Sequence, residues 1–131
     1  MAINKQLVVW KNSMDLVKQV YVKTNGFPKN ELYGLTSQIR RAAVSIPANI
    51  SEGSSRMRPN EFLYFLRISF GSLSELETLL ILADDLNYLN REDFFVLHDR
   101  IKIITVQLSR LIHAIEKKNG ISPGYKPVQT V

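Results

Sequence analysis

A proline, an amide and a carboxylate lie together in residues 47–53, which read PANISEG. Pro47 falls within a helical pattern, where it removes a hydrogen bond and clashes with the Ala43 carbonyl. Such defects are usually retained for a reason. Glu52 could therefore be a ligand-binding or catalytic carboxylate at a distorted turn.

A structural interpretation of the same segment is favoured, because no histidine or second carboxylate accompanies Glu52. Asn49 lies between Ile46 and Gly53 on the inward face, where an amide fixes register or partner choice. A buried Glu52 requires a cationic partner, with Arg56 and Arg67 as the candidates. In this structural interpretation Pro47 bends the helix, and Asn49 and Glu52 make polar contacts inside the bundle.

Basic residues are the second feature that could carry function. Residues 1–60 contain nine Lys/Arg and three Asp/Glu, whereas residues 61–131 contain eight and nine. This charge imbalance predicts a phosphate-binding surface on the N-terminal half of the chain. In an oligomer, each subunit would contribute such a surface. The alternative is a solvated face with salt bridges between subunits. The candidate nucleic-acid-binding residues are Lys11, Lys18, Arg40, Arg41, Arg56 and Arg58.

The residue types give little support for thiol chemistry, metal binding or base stacking. The chain has no cysteine, which excludes disulfides and thiolate catalysis. His98 and His113 are fifteen residues apart, too far to share a metal, and no Glu-x-x-His pair is present. Trp10, Tyr21 and Tyr64 could stack on bases, but their spacing favours the core or an interface. We therefore expect no metal, no cofactor and no enzymatic activity.

Length and hydropathy predict one cytoplasmic domain spanning residues 1–131, with a lead-in at 1–7 and a loose tail at 119–131. No apolar run reaches the roughly 18 residues needed to span a membrane, and Met1 is not followed by a signal peptide. Four segments have helical periodicity, and no strand-like alternation rivals them. The short connections predict an all-α, antiparallel up-down-up-down four-helix bundle.

The first two helices have recognisable ends. Helix 1 begins at Val8 and stops at Asn25-Gly26, where glycine can take the left-handed conformation. Helix 2 is expected to begin near Lys29 or Asn30; because of Gly34, the alternative is a short helical turn followed by the main helix from about Leu35. The helix continues through Pro47 and ends near residues 53–55. Its apolar stripe comprises Leu32, Leu35, Ile39, Ala42, Ile46 and Ile50.

Helices 3 and 4 are longer. Pro59 suits the first position of helix 3, whose stripe runs from Phe62 to Leu86. Asn90 is a good N-cap for helix 4, which ends at residues 117–120 with two lysines and a glycine. The helix 4 stripe comprises Phe94, Leu97, Ile101, Ile104, Leu108, Leu111 and Ile115.

A second apolar face exceeds what one bundle requires. Leu63 and Phe70 lie a heptad apart and beside the main stripe of helix 3, and Ile103 and Val106 lie beside that of helix 4. A helix that is apolar on two faces must bury both. We therefore expect a homo-oligomer with Leu63 and Phe70 at the interface. The alternative is that these residues only widen the core stripe.

Three segments resemble the 23S rRNA-intervening sequence protein family, also called the four helix bundle proteins. They are LVVWK at 7–11 with Met14, Asp15 and Leu16; YGLTSQIRRAAVSIPANISEG at 33–53; and residues 61–78, with Glu61, Phe62, Ser69, Leu73 and Leu76. The likeness covers about residues 6–117, and the middle motif is specific. Alanine is commoner in the family where Ser51 stands.

The resemblance implies a four-helix bundle that often assembles as a ring-shaped pentamer. Some family members are encoded within intervening sequences of bacterial 23S rRNA genes, and others resemble accessory proteins of diversity-generating retroelements, which bind nucleic acid and a reverse transcriptase. Most have no established activity. The favoured interpretation is a non-enzymatic oligomer that binds RNA or other nucleic acid through basic surface; the alternatives are a scaffold for a protein partner and an enzyme that uses Glu52.

Overall fold

Four α-helices and one 3₁₀ turn make up most of residues 7–123, the part of the chain that the computed structural model describes. The helices are α1 (Val8–Thr24), α2 (Leu35–Ser54), α3 (Pro59–Asp85) and α4 (Arg91–Lys118), and the turn is Lys29–Glu31. No strand occurs in this range, so the prediction of an all-α fold with four helices is confirmed. The expected lead-in and tail lie largely outside the described residues.

The helix boundaries follow the local chemistry that the sequence indicates. α2 starts at Leu35 and passes through Pro47, and Pro59 is the first residue of α3. The Asn90 side chain accepts a hydrogen bond from the Asp93 N–H at 2.7 Å, which caps α4. Gly120, with φ of 65°, follows the end of α4 in the left-handed conformation.

The end of α1 differs from the prediction. Gly26 does not have a positive φ, and Asn25 keeps a right-handed helical conformation while its N–H bonds to the Val22 carbonyl. The Thr24 hydroxyl donates to the Val20 carbonyl at 2.7 Å. The last carbonyls of α1 are therefore satisfied by local turns and side chains, without a left-handed glycine.

Each helix packs against two others, in the cyclic order α1, α2, α3, α4 and back to α1. The α2–α3 contact is the most extensive, and the described residues show no packing between α1 and α3 or between α2 and α4. Asn12 hydrogen-bonds Gln107 at 2.9 Å, and Lys23 forms an ion pair with Asp93 at 2.7 Å. This packing is consistent with a four-helix bundle.

Stripes of apolar residues from all four helices meet in one core. The predicted stripes of α2 and α4 are buried with three exceptions: Leu32 is 46% exposed, and Leu111 and Ile115 are only partly buried. Leu32 belongs to the link before α2, so the helical stripe does not extend to it. No helix within residues 7–123 is long and apolar enough to cross a membrane.

The buried stripe of α3 is offset from the prediction. Leu63 is completely buried in the protomer, whereas Phe62 is only partly so. The placement of Leu63 on an exposed second face is therefore wrong. The remaining buried positions of α3 are Leu66, Ser69, Leu73, Leu76, Leu80 and Ala83.

Candidate functional site

The Pro47 segment lies in the seam between α2 and α3. Pro47 has no N–H, so it cannot donate to the Ala43 carbonyl one turn earlier. Ile46, the residue before it, accepts a hydrogen bond at its carbonyl from the buried Ser69 hydroxyl of α3, at 2.9 Å. A side chain of the neighbouring helix therefore bonds to the α2 backbone beside the proline.

Asn49 reaches α3 through a serine. Its amide donates to the Ser45 carbonyl at 2.8 Å and to the Ser45 hydroxyl at 2.9 Å. The Ser45 hydroxyl is in turn 2.8 Å from the Ser72 hydroxyl of α3. Asn49 is half-buried, so this chain of hydrogen bonds runs along the edge of the seam and not through the centre of the core.

α2 and α3 pack tightly at Gly53. A Cβ atom at this position would lie 2.9 Å from Phe62 Cδ1, 2.9 Å from Phe65 Cβ and 3.2 Å from the Phe62 carbonyl oxygen. Backbone and the base of a side chain cannot move aside as the tip of a flexible chain can. The packing of the two helices here requires a residue without a side chain.

Glu52 differs from the buried tie that the sequence indicates. Its side chain is 49% exposed and forms an ion pair with Arg56, four residues later. The other candidate partner, Arg67, pairs instead with Glu116 of α4 at 2.7 Å. The Arg56 guanidinium also lies 5.1 Å from the centre of the Phe65 ring. Glu52 therefore holds Arg56 at the surface and does not enter the core.

Arg40 is engaged in holding α1 against α2. Its Nε donates to the Thr24 hydroxyl at 3.0 Å, and a terminal nitrogen donates to the Asn25 side chain at 3.3 Å and the Tyr21 carbonyl at 3.5 Å. Its guanidinium also lies 4.7 Å from the centre of the Tyr21 ring. A cation at the end of a helix is favourable, because the carbonyls there carry partial negative charge. Sequence periodicity gives no sign of this partnership.

The other predicted basic residues divide into two groups. Arg56 is paired with Glu52, whereas Lys11, Lys18, Arg41 and Arg58 are exposed and form no ion pair with another described residue. Lys11 and Lys18 lie on α1, Arg41 lies on α2, and Arg58 precedes α3. The structure thus leaves a dispersed set of exposed cations on α1, on α2 and just before α3.

A groove of about 740 Å³ lies between α3 and α4. Phe70 and Ile112 provide apolar walls, and the Arg67–Glu116 ion pair lies at its edge. Phe70, predicted at an oligomer interface, is partly buried in this groove within one protomer. A Cβ at Gly71 would have no neighbour within 4 Å, which leaves the groove open.

The histidines form no metal site. His98 Nε2 lies 3.1 Å from the Glu77 carboxylate, and its ring stacks on Phe94. His113 is exposed at the α3–α4 groove. The described residues contain no group of three side chains able to hold a metal ion.

Tyr88 and Glu31 form a tie between distant links that the sequence does not indicate. The Tyr88 hydroxyl donates to Glu31 Oε2 at 2.9 Å, and Glu31 Oε1 accepts from the Leu35 N–H at 3.3 Å. The hydrogen bond to Glu31 raises the pKa of Tyr88, and partial burial and the negative charge of Glu31 act in the same direction. One carboxylate thereby caps α2 and anchors the α3–α4 link.

Comparison with solved structures supports the fold. A crystal structure of a protein of unknown function from the S23 ribosomal protein family of Bacteroides thetaiotaomicron VPI-5482 superposes with a TM-score of 0.75. The match covers 81% of this chain and 96% of the other, at 23% sequence identity. That identity supports a shared fold only.

Comparison with curated proteins gives no match. A family model described as 23S rRNA-intervening sequence protein matches residues 5–110. This range spans most of the chain and includes α1, α2, α3 and all but the end of α4. The chain belongs to the 23S rRNA-intervening sequence protein family.

Proposed function

We propose that the protein is a non-enzymatic, homo-oligomeric four-helix bundle that binds structured RNA through the exposed cations of α1 and α2. The observation that supports binding is the imbalance of charge on these helices. Asp15 is the acidic residue of α1, and Glu52, that of α2, is paired with Arg56. Lys11 and Lys18 face solvent on either side of Asp15, and Arg41 faces solvent without an ion-pair partner among the described residues, so the exposed charge of these helices is net positive.

The proposed bundle is antiparallel, with helices running up, down, up and down. Contacts between sequence-distant positions support this topology. Lys23 near the end of α1 pairs with Asp93 near the start of α4, whereas Asn12 near the start of α1 pairs with Gln107 in the later half of α4. Similarly, Asp84 at the end of α3 pairs with Arg91 at the start of α4.

Assembly would multiply the cations, and a ring of copies, as the family resemblance implies, would give a dense phosphate-binding surface. Binding through phosphates is weakly sequence-specific and strongly salt-dependent. This is also the function that the resemblance to retroelement accessory proteins implies. A cytoplasmic location is part of the proposal.

Fluorescence anisotropy with a labelled RNA hairpin tests the proposal. The variant Lys18→Glu/Arg41→Glu spares Arg40, whose removal would disturb the α1–α2 contact. Its control, Lys102→Glu/Lys118→Glu, makes the same change in net charge on α4. We expect the first variant to bind at least about tenfold more weakly at low salt, and the control to change affinity by less than about threefold.

Two results would refute RNA binding through α1 and α2. One is equal loss of affinity in both variants, which would indicate a non-specific effect of net charge. The other is an affinity for RNA that stays constant as salt is raised, because phosphate contacts release counterions.

A scaffold for a protein partner is the second candidate function. Exposed apolar side chains favour it: Tyr64 is 60% exposed, Phe95 51% and Ile103 54%. Capture of one partner protein by the wild type, unaffected by charge reversal at Lys18 and Arg41, would support this function over RNA binding.

A further inference from the structure

An exposed heptad stripe runs along the outer side of α4. Its spacing alternates between four and three residues, like that of the buried stripe, but every one of its positions is exposed. Ile103 and Val106, at its centre, are 54% and 48% exposed. The stripe comprises Glu92, Val96, Asp99, Ile103, Val106, Arg110, His113 and Lys117.

The outer stripe is chemically self-complementary about a centre between residues 104 and 105. Ile103 and Val106 are equidistant from that centre, as are Asp99 and Arg110, and Glu92 and Lys117. Acids occupy the first half of the stripe and bases the second. No residue of the outer stripe forms an ion pair with another described residue.

From this symmetry we infer that the outer stripe of α4 binds the same stripe of a second copy, antiparallel and around a two-fold axis. Ile103 then packs on Val106 of the other copy, and Asp99 meets Arg110 twice because the interface repeats its contacts. The stripe is about 38 Å long at 1.5 Å per residue, long enough for a helix–helix seam.

Other arrangements fit the outer stripe less well. Parallel pairing would bring Asp99 against Asp99 and Arg110 against Arg110, which is repulsive. The outer side of α1 carries Lys11, Asp15 and Lys18, which together give a net positive face that would repel a second α1. Nucleic acid would meet Glu92 and Asp99, which repel phosphates.

The inference rests on the proposed homo-oligomer and specifies one of its surfaces. A two-fold seam joins copies in pairs, so it produces an even number of them. A single five-membered ring contains no such axis between neighbouring subunits. If rings form, this seam joins one ring to another.

Charge exchange tests the seam. Light scattering should give the wild type a mass that is an even multiple of 15.0 kDa. Asp99→Arg and Arg110→Asp should each weaken pairwise association by about tenfold or more, since each reverses two contacts per pair. The double variant Asp99→Arg/Arg110→Asp should restore association, which general damage to folding would not allow.

Cross-linking tests the direction of pairing. The natural chain has no cysteine, so every disulfide that forms must involve an introduced cysteine. Mixing Ile103→Cys with Val106→Cys under oxidising conditions should yield the mixed disulfide over either self-linked product, because only facing Cβ atoms come within about 4 Å. Val44→Cys, exposed on α2, is the control and should not link to either.

These experiments distinguish failure of the oligomer proposal from failure of the α4 seam and from failure of its antiparallel direction. A monomer in solution would overturn both the oligomer proposal and the seam. An oligomer whose mass is the same in the wild type and both single charge variants would overturn only the seam. Preferential self-linking of Ile103→Cys would overturn the antiparallel arrangement. RNA binding depends on Lys18 and Arg41, which are outside the outer stripe and are tested separately.

Discussion

The polar residues between Pro47 and Gly53 have structural roles in the contact between α2 and α3. Asn49 reaches Ser72 through Ser45, and the carbonyl before Pro47 accepts from Ser69. Glu52, the residue with the greatest potential for chemistry, is exposed and paired with Arg56. The segment thus shapes a close helix–helix contact.

Gly53→Ala should destabilise the fold by about 1–3 kcal/mol, because the added methyl would overlap Phe62 and Phe65. Gly71→Ala is the matched control, since its Cβ meets no atom within 4 Å. There the higher helix propensity of alanine should stabilise by up to about 1 kcal/mol. Urea unfolding measures both, and equal effects of the two changes would contradict the close approach at Gly53.

Tyr88 should make stability sensitive to alkaline pH. Its pKa is raised in the folded state, so its stabilising contribution is complete below pH 10.0, the ordinary tyrosine value, and is lost as pH rises through the folded pKa. The advantage of the wild type over Tyr88→Phe should therefore shrink above pH 10. Urea midpoints of both proteins across this range provide the test; a constant difference would refute the Glu31 hydrogen bond.

At the scale of the element, α1 depends on its neighbours through polar contacts at its edges. Arg40 of α2 hydrogen-bonds three groups at the end of α1, and Lys23 and Asn12 of α1 bond to residues of α4. Arg40 and Arg41 are adjacent, and the sequence predicts the same exposed role for both. Their roles differ because adjacent helical residues point about 100° apart, and only Arg40 faces α1.

Arg40→Ala should lower stability by about 1–2 kcal/mol, because it removes hydrogen bonds from a partly exposed cation and leaves the end of α1 unsupported. Arg41→Ala, the adjacent control, should change stability by no more than about 0.5 kcal/mol. Thermal unfolding followed by circular dichroism measures both. If Arg41→Ala were the more damaging, the assignment of the two roles would be wrong.

Local chemistry explains how much of the elements could be predicted. Asn90, Pro59 and Gly120 mark helix ends through their own caps and backbone preferences, so the boundaries of α3 and α4 follow from the sequence. A strict heptad pattern assigns Phe62 to the core in place of Leu63, because that pattern drifts by about 20° per heptad against a helix of 3.6 residues per turn. That drift decides which neighbouring residue of α3 enters the core.

Contacts between distant residues could not be predicted in this way. The partners of Arg40, Tyr88 and Arg67 come from other elements, and helical periodicity says which face a residue occupies without saying what lies opposite. For the same reason only part of the candidate site can be predicted: the exposure of Lys18 and Arg41 and the pairing of Arg56 with Glu52 are among the sequence expectations, whereas the contacts of Arg40 are not.

At the scale of the whole molecule, two surfaces of different character are left free by the core. The exposed residues of α1 and α2 carry net positive charge, and the outer stripe of α4 carries balanced charges around an apolar centre. The proposed RNA binding and the proposed self-association can therefore occur together without competing for residues.

Self-association through α4 should make thermal stability depend on protein concentration. Binding between folded copies stabilises the folded state by mass action, so Tm should rise as the wild-type protein is concentrated. Asp99→Arg should abolish most of that rise, while Lys18→Glu should not. Scanning calorimetry over a hundredfold range of concentration is suitable, and a Tm that is constant for the wild type would contradict association through this face.

The short link between α2 and α3 and their extensive contact have a consequence for the order of folding. Ser45 and Ser72, which join these helices, are 27 residues apart, whereas Asn12 and Gln107, which join α1 to α4, are 95 apart. Closing the shorter loop costs less chain entropy. We therefore expect the α2–α3 hairpin to form in the transition state and the α1–α4 contact to close afterwards.

Stopped-flow measurements can separate the two stages. Gly53→Ala, within the hairpin, should mainly slow refolding, whereas Asn12→Ala, at the α1–α4 contact, should mainly speed unfolding. The segment from Pro47 to Gly53 would then govern how quickly the chain reaches its native state, in addition to how stably it remains there.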